Sequence, residues 1–306
     1  MKTGCKFVIM MLLSVLLFSC VDYNPDIQEE SPYKTVIIIG MDGAGGSYVE
    51  AAETQSIDAL KSSADCAYTF KAHCELPSSS AQNWGALLHG VTPDKLKRDN
   101  GVICAQRFRN TKYPSIFALF RKAFPACYTA SVVNWNPINY GLIETYADAD
   151  KYPDLIFSSG LYNDKEVKDI VIDCLKKDPK LVFVQFDGAD ETGHSYGYGS
   201  DEHKNVIKEL DGYIGEIYEA CDKESTLFII VADHGGTEAG NHGGASKEEQ
   251  EIIFLIKGKT INGNADVSAF KSRDLVPVVL SAMNMAVPKT MDGTVPSDLF
   301  LANGLY

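Results

Sequence analysis

Hydrophobic residues gather along the chain in short, nearly unbroken runs at 34–41 (KTVIIIGM), 127–134 (CYTASVVN), 181–187 (LVFVQFD), 227–233 (LFIIVAD) and 251–258 (EIIFLIKG). Each is too short for a buried helix and most are rich in β-branched side chains. Each therefore predicts a strand covered on both faces rather than one. Between them, the stretches 55–64, 115–123, 165–177, 202–221 and 269–283 read as helices. In 202–221 the apolar residues Val206, Leu210, Ile214 and Ile217 recur three or four positions apart. Apolar strands alternating with amphipathic helices predict an α/β fold: a single three-layer domain with a mainly parallel central sheet flanked by helices. No internal repeat, low-complexity tract or interior linker divides it. The segment 134–161, with Trp135, Pro137, Tyr140, Tyr146, Tyr152 and Pro153, is poorly periodic. It reads either as a cover over a site or as a long connection.

The first twenty residues follow another pattern. Lys2 and Lys6 precede an apolar run at 7–18, which Ser19 and Cys20 close. The run is shorter than the roughly 20 residues that cross a bilayer and has the layout of a secretory signal. Its ending, Leu-Phe-Ser-Cys, resembles the lipobox of bacterial lipoproteins. The expected organisation is a signal peptide at 1–19, a lipid on Cys20 that holds the chain to a membrane, a polar tether over 20–33 and a folded domain over 34–306. The expected location is that of an exported bacterial lipoprotein, periplasmic or at the cell surface. A plain secretory signal with an incidental cysteine is the alternative. Export opens Cys66, Cys74, Cys104, Cys127, Cys174 and Cys221 to disulfide formation, in pairings the sequence does not choose.

Charge narrows the partners. Lys+Arg 28 against Asp+Glu 41 give a formal net charge of −13, which repels phosphate backbones and argues against a general nucleic-acid binder. A small anionic substrate then needs a cationic centre inside the site.

Candidate chemistry collects where the strands end. In open α/β sheets, ligands bind beyond the carboxyl ends of the strands. Asp42 follows the first run, Asp187 and Asp190 the third, and Asp233-His234 the fourth. One acid in such a place is commonplace as a turn former. Three strand ends delivering Asp and His to one edge point to metal. Asp190 and His194 are four residues apart, so on a helical turn they share a side, and both residue types ligate zinc. Asn241-His242-Gly-Gly adds another histidine in a glycine-rich loop. Of the six histidines, His73, His89 and His203 are read as structural or surface residues. The run Ser78-Ser79-Ser80 precedes a helix-like stretch. A hydroxyl there suits either a nucleophile facing a phosphoryl group or a plain N-cap, and the stretch alone does not choose.

Taken in order, these strings resemble the alkaline phosphatase superfamily, in particular its type I phosphodiesterase/nucleotide pyrophosphatase branch, from about Tyr33 to the C-terminus. Met41-Asp42-Gly43 is similar to the first metal-ligand turn, and Ser80-Ala-Gln-Asn83 to the nucleophile motif. Asp190 and His194 match the DxxGH element, Asp233-His234-Gly235 an SDHG-type element, and His242 the last histidine ligand. The stretch beginning Arg273-Asp-Leu resembles the closing helix of these domains, and Asp292-Gly293 a turn after it. The resemblance implies two divalent metal ions, expected to be Zn2+. One would be held by Asp190, His194 and His242. The other would be held by Asp42, Asp233 and His234, with Ser80 Oγ completing it. Asp187 is the competing carboxylate for Asp190. Asn83 is implied as a donor to a nonbridging phosphoryl oxygen. Because the family's Thr-Phe-Pro-Asn is Ser-Ala-Gln-Asn here, Ser78 and Ser79 stand as alternative nucleophiles.

The implied function is zinc-dependent hydrolysis of phosphate esters, of phosphodiester or nucleotide pyrophosphate type, through a phospho-serine intermediate on a small phosphorylated substrate. Phosphomonoester hydrolysis at the same site is the alternative. Phosphonate hydrolysis and transfer to an alcohol stay open, as does a non-catalytic lipoprotein that binds phosphorylated glycans or lipids through its metals. A sulfatase needs a CxPxR-type string, and Cys74-Glu-Leu-Pro77-Ser-Ser has no arginine at its end. The cluster Lys95, Lys97 and Arg98 is either a phosphate contact or a solvated loop.

Overall fold

The computed structural model describes residues 31–109, 112–144, 153–160 and 163–301. The expected signal peptide, Cys20 and most of the tether lie outside these residues. The end of the tether does not. Tyr33 is buried with its hydroxyl 2.7 Å from Thr260 Oγ1, and Ser31 Oγ reaches Met283 Sδ at 3.3 Å. The packed unit therefore begins before residue 34, because the Tyr33 ring is covered while its hydroxyl keeps a polar partner.

Seven strands form one sheet: β1 (Thr35–Met41), β2 (Cys66–His73), β3 (Thr129–Val133), β4 (Leu155–Ser158), β5 (Leu181–Phe186), β6 (Thr226–Ala232) and β7 (Glu251–Lys257). Their order is β2-β7-β6-β1-β5-β3-β4. Strands β6, β1, β5, β3 and β4 are parallel, and β7 alone runs against both of its neighbours. The result is the mainly parallel sheet flanked by helices that the apolar runs predict. Every residue of β5 and β6 is buried, as a strand covered on both faces requires.

The two strands that the runs do not reveal are the edges. β2 mixes buried and exposed positions, and β4 has four residues, none fully buried. An edge strand half open to water needs no continuous apolar run. β4 and the short helix Pro137–Gly141 both fall within 134–161, so the described part of that segment is scaffold and not a cover. Tyr146 and Tyr152 lie outside the described residues.

The helices Gln55–Lys61, Ile116–Ala123 and Leu275–Ala282 fall inside the expected stretches, and Asp164–Leu175 and Asp201–Glu219 begin one residue before theirs. In Asp201–Glu219 the buried stripe runs through Ile207, Leu210, Ile214 and Ile217, leaving Val206 at its margin. Asp211 is buried in the same stripe for a polar reason. Its carboxylate accepts from the amides of Ser56 and Ile57, each at 2.8 Å, which opens the helix Gln55–Lys61 in place of its own N-cap, Thr54.

The six described cysteines are free thiols, so the disulfides that export would permit are not formed. They sit on separate elements, among them the start of β2, the helix Asp164–Leu175 and the turn after Asp201–Glu219. Among the described residues no helix is long and apolar enough to cross a membrane.

Register positions the chemistry. Met41 pairs with Phe186 on one side and with Ala232 on the other. The next residues, Asp42, Asp187 and Asp233, therefore leave the sheet level with one another.

Candidate active site

Two of these three carboxylates are left with an unpaired oxygen. Asp42 Oδ2 accepts from Trp84 Nε1 at 2.8 Å and from Gln185 Nε2 at 3.0 Å. Asp233 Oδ1 accepts from the amides of Gly43 at 3.1 Å and His234 at 2.9 Å. The remaining oxygens, Asp42 Oδ1 and Asp233 Oδ2, are buried without a donor. Burial, and then the charges of Asp233, Asp190 and Asp187, hold Asp42 well above the ordinary carboxyl range. Burial and the charge of Asp190 push Asp233 up to about 7. Leaving such oxygens unpaired is costly, so the site is built for a positive charge that the side chains do not supply.

The imidazoles complete the pattern. His194 donates Nδ1–H to Gly240 O at 2.8 Å, His234 to Gly235 O at 2.9 Å and His242 to Ser78 O at 3.0 Å. A carbonyl only accepts, so each Nδ1 carries its hydrogen; in neutral His234 and His242 Nε2 is then a bare lone pair, whereas His194 directs Nε2–H at the Asp190 carboxylate. His234 Nε2 lies 3.5 Å from Asp42 Oδ1, 3.4 Å from Asp233 Oδ2 and 4.0 Å from Asp190 Oδ1. His242 Nε2 lies 3.9 Å from Asp190 Oδ1, and His194 Nε2 lies 3.3 Å from Asp190 Oδ2. Burial lowers the affinity of His234 and His242 for a proton. The hydrogen bond to Asp190 raises His194 to about 9. Burial alone would raise Asp190, but His194 and the other imidazoles outweigh it and hold Asp190 low.

Two trios of ligand atoms, each within 4.8 Å, result: Asp42, Asp233 and His234, and Asp190, His234 and His242. His194 adjoins the second trio through Asp190, with its ring 5.0 Å from that of His242. Orphaned buried carboxylate oxygens facing bare imidazole nitrogens make an N/O donor set that fits divalent cations. Backbone approach is tight here. Gly43 has φ +65, and a Cβ at that position would stand 2.6 Å from Asp190 Oδ1. Gly40 similarly makes room for Trp84, whose ring would meet a Cβ at 2.3 Å.

Ser80 opens the helix Ser80–His89, is buried, and places Oγ 3.1 Å from His234 Nε2. The alternative serines point elsewhere. Ser78 Oγ donates to Gly244 O at 2.8 Å and accepts from Gly243 N at 3.0 Å, tying down the loop that carries His242. Ser79 occupies the N-cap position without a capping bond, and its Oγ lies 3.4 Å from Asn100 Oδ1.

Asn83 departs from its expected role. It is fully buried, accepts from Glu75 N at 2.6 Å, and directs Nδ2 at the carbonyls of Glu75, Pro77 and Ser79 between 3.1 and 3.2 Å. Its amide is committed to the loop before Ser80, where the backbone of Glu75, Pro77 and Ser79 takes up both its oxygen and its nitrogen. Asp187 belongs to neither trio. Gln185 Nε2 bridges its Oδ1 at 2.8 Å to Asp42 Oδ2, so it stands behind Asp42. Lys95 pairs with Asp292 Oδ1 at 2.5 Å, and Arg98 Nη2 donates to Gly141 O at 2.8 Å, so both brace the scaffold, while Lys97 is exposed. His89 is buried between the carbonyls of Tyr113 and Leu142, His203 is buried in an aromatic layer, and His73 is exposed at the end of β2.

Four contributors carry little sequence signal. Gln185 is the one polar residue in an otherwise apolar run, which was the available clue. Trp84, Asn100 and Tyr198 reach the site only through the fold. Asn100 Oδ1 accepts from Ala81 N at 2.9 Å, and Tyr198 donates to Asp190 Oδ1 at 2.5 Å.

Residues 36–252, more than two thirds of the chain, match the family described as type I phosphodiesterase / nucleotide pyrophosphatase, and the chain belongs to that family. Among curated relatives it is 30% identical to GPI ethanolamine phosphate transferase 2 of Debaryomyces hansenii over 126 residues, covering 37% of this chain and 14% of that protein. It is 24% identical to GPI ethanolamine phosphate transferase 1 of Mus musculus over 276 residues, covering 76% of this chain and 29% of that protein. The match thus spans less than a third of either relative. Among solved structures, murine ectonucleotide pyrophosphatase / phosphodiesterase 5, inactive (T72A), in complex with AMP, superposes with TM-score 0.65 at 15% identity, covering 89% of this chain and 100% of that one. That likeness establishes the α/β fold.

The relatives also correct the expected location. They are eukaryotic GPI ethanolamine phosphate transferases, not bacterial lipoproteins, so the placement as an exported bacterial lipoprotein does not hold. A short apolar run ending in Cys is too brief a pattern to carry that placement.

Proposed function

We propose that the protein cleaves phosphate esters of the phosphodiester or nucleotide pyrophosphate class by two successive transfers of the phosphoryl group, with Ser80 as nucleophile and water as final acceptor. The observation that carries this reading is Ser80 Oγ at 3.1 Å from His234 Nε2, in a buried cluster whose lone pairs demand positive charge. Asp42, Asp233 and His234, with Ser80, would hold one divalent cation, and Asp190, His194 and His242 the other. Zinc is the ion this donor set suits best. Bound there, the two cations would supply the positive charge that favours the Ser80 alkoxide and draws an anionic ester into an acidic protein.

The residues of the chain do the rest. Trp84 and Gln185 hold Asp42 in place, and Ser78 ties the His242 loop to the segment before Ser80. Asn83 fixes that segment, so the hydroxyl is oriented before substrate arrives. Ser80 Oγ forms a bond to phosphorus, and the bond from phosphorus to the leaving oxygen breaks with its electron pair on that oxygen. The serine proton leaves with that oxygen; water then bonds to phosphorus, the phosphorus–Oγ bond breaks with its electron pair on Oγ, and a proton from the water returns to Oγ as the product leaves.

A second reading replaces water by an alcohol acceptor. It is favoured by the relatives, which are named transferases. Release of nitrophenol from bis-p-nitrophenyl phosphate, set beside the mono-ester and beside Ser80→Ala, tests the first reading. Faster turnover of the diester, abolished in Ser80→Ala, is expected. A preference for the mono-ester overturns the diester assignment, and full activity of Ser80→Ala overturns the nucleophile. Accumulation of a new phosphodiester when ethanolamine or glycerol is added would favour the alcohol.

A further inference from the structure

Tyr198 follows the helix Gly188–Tyr196 by two residues and is completely buried. Its ring occupies space that two glycines leave open, since a Cβ on Gly193 or Gly236 would come within 2.5 or 2.4 Å of it. Edges of three imidazoles surround it: His203 at 5.4 Å between ring centres, His194 at 5.8 Å and His242 at 6.3 Å. Behind it, His203 packs edge-on to Tyr48 at 5.3 Å, and Tyr48 donates to Gly236 O at 2.6 Å. The phenol therefore has one orientation.

In that orientation its hydroxyl donates to Asp190 Oδ1 at 2.5 Å. This is the oxygen that faces both His234 Nε2 and His242 Nε2, while Oδ2 is turned to His194. A carboxylate rotates readily about its Cβ–Cγ bond, and of these contacts only the phenol is a fixed neutral donor. We propose that Tyr198 is a positioning residue for the cation site of Asp190, His194 and His242. It fixes the plane of Asp190, so the affinity of that site depends on one hydroxyl. The proposal rests on the dinuclear reading above. Hydrogen-bond partners behind metal ligands commonly govern affinity in this way.

The test is zinc titration of the full chain against a chromophoric chelator, for the wild type, Tyr198→Phe and Tyr48→Phe. The second variant removes a phenol hydroxyl from the same aromatic layer, but one that serves only a backbone carbonyl. The wild type is expected to take two ions. Tyr198→Phe should weaken one of them by about 10–100-fold and leave the other unchanged. Tyr48→Phe should keep both. Cobalt(II) absorption should change for one site only in Tyr198→Phe. Wild-type affinities in Tyr198→Phe overturn the proposal, as does an equal weakening of both sites shared by Tyr48→Phe, which marks the hydroxyl as structural. A wild type that takes no zinc fails at an earlier point, overturning the dinuclear reading and the role of Tyr198 with it.

Discussion

Ser80 Oγ and His234 Nε2 lie 3.1 Å apart, although 154 residues separate them in the chain. One opens a helix and the other lies two residues beyond a central strand, so neither position is a local accident. Substituting Ser80 by Ala should lower turnover at least about a thousandfold, since a nucleophile has no substitute in the site. Zinc content should be retained, because Asp42, Asp233 and His234 are unaffected. Steady-state rates together with metal analysis check both halves, and a variant that loses metal along with activity would mean that the serine is a structural ligand.

The unpaired oxygens of Asp42 and Asp233 give an opposite pair of effects on stability. At pH 8, Asp233→Asn places a neutral amide where two carboxylates face one another, and its Nδ2 can donate toward His234 Nε2 or Asp42. The metal-free protein should become more stable by roughly 1–2 kcal/mol. Zinc should raise the melting temperature of the wild type more than that of the variant, which keeps only the site of Asp190, His194 and His242, because binding to the folded state alone stabilises it. Thermal melts with and without zinc read both effects. A variant that is less stable than the metal-free wild type contradicts the electrostatic account.

Asn83→Ala should behave as a scaffold mutation. It leaves Glu75 N and three carbonyls without their partner, at a cost of about 2–4 kcal/mol. Turnover should fall because the loop before Ser80 loosens. Denaturant unfolding distinguishes this from a direct contact with the phosphoryl group, which would lower kcat at unchanged stability.

Glu144 supplies a prediction away from the site. It is buried and accepts from Ser115 N at 2.8 Å, with Ser115 Oγ bonded to its other oxygen. Burial pushes its carboxyl from 4.5 up to about 7. The folded state thus holds this proton more tightly than the unfolded state, so its contribution is complete below pH 4.5 and is lost as pH rises through 7. Wild-type stability should fall by about 3 kcal/mol more across that window than the stability of Glu144→Gln. Urea unfolding at pH 4.5, 6 and 8 measures the difference, and parallel curves for the two proteins would contradict it.

The central strands and the chemistry at their ends were legible because both are local properties. A strand buried on two faces must be apolar over nearly its whole length, as β1, β6 and, apart from Gln185, β5 are, and the polar residue that follows it stands out. The edges β2 and β4 were not legible, since half-exposed strands carry no such run. The reversal of β7 was hidden for a different reason. Its sequence, Glu251–Lys257, is as apolar as that of a parallel strand, and only pairing assigns direction.

The sequence by itself determined which residue types follow the strands and in what order: Asp42, Ser80, Asp190, His194, Asp233, His234 and His242. Tertiary structure alone decided how they are used. The shared register of Met41, Phe186 and Ala232 brings the acids level, the backbone carbonyls of Gly235, Gly240 and Ser78 turn each Nε2 inward, and the backbone of Glu75, Pro77 and Ser79 takes up the Asn83 amide. Side-chain identity is written along the chain, but the direction of a lone pair depends on groups tens of residues distant, and those are set only when the sheet and helices pack.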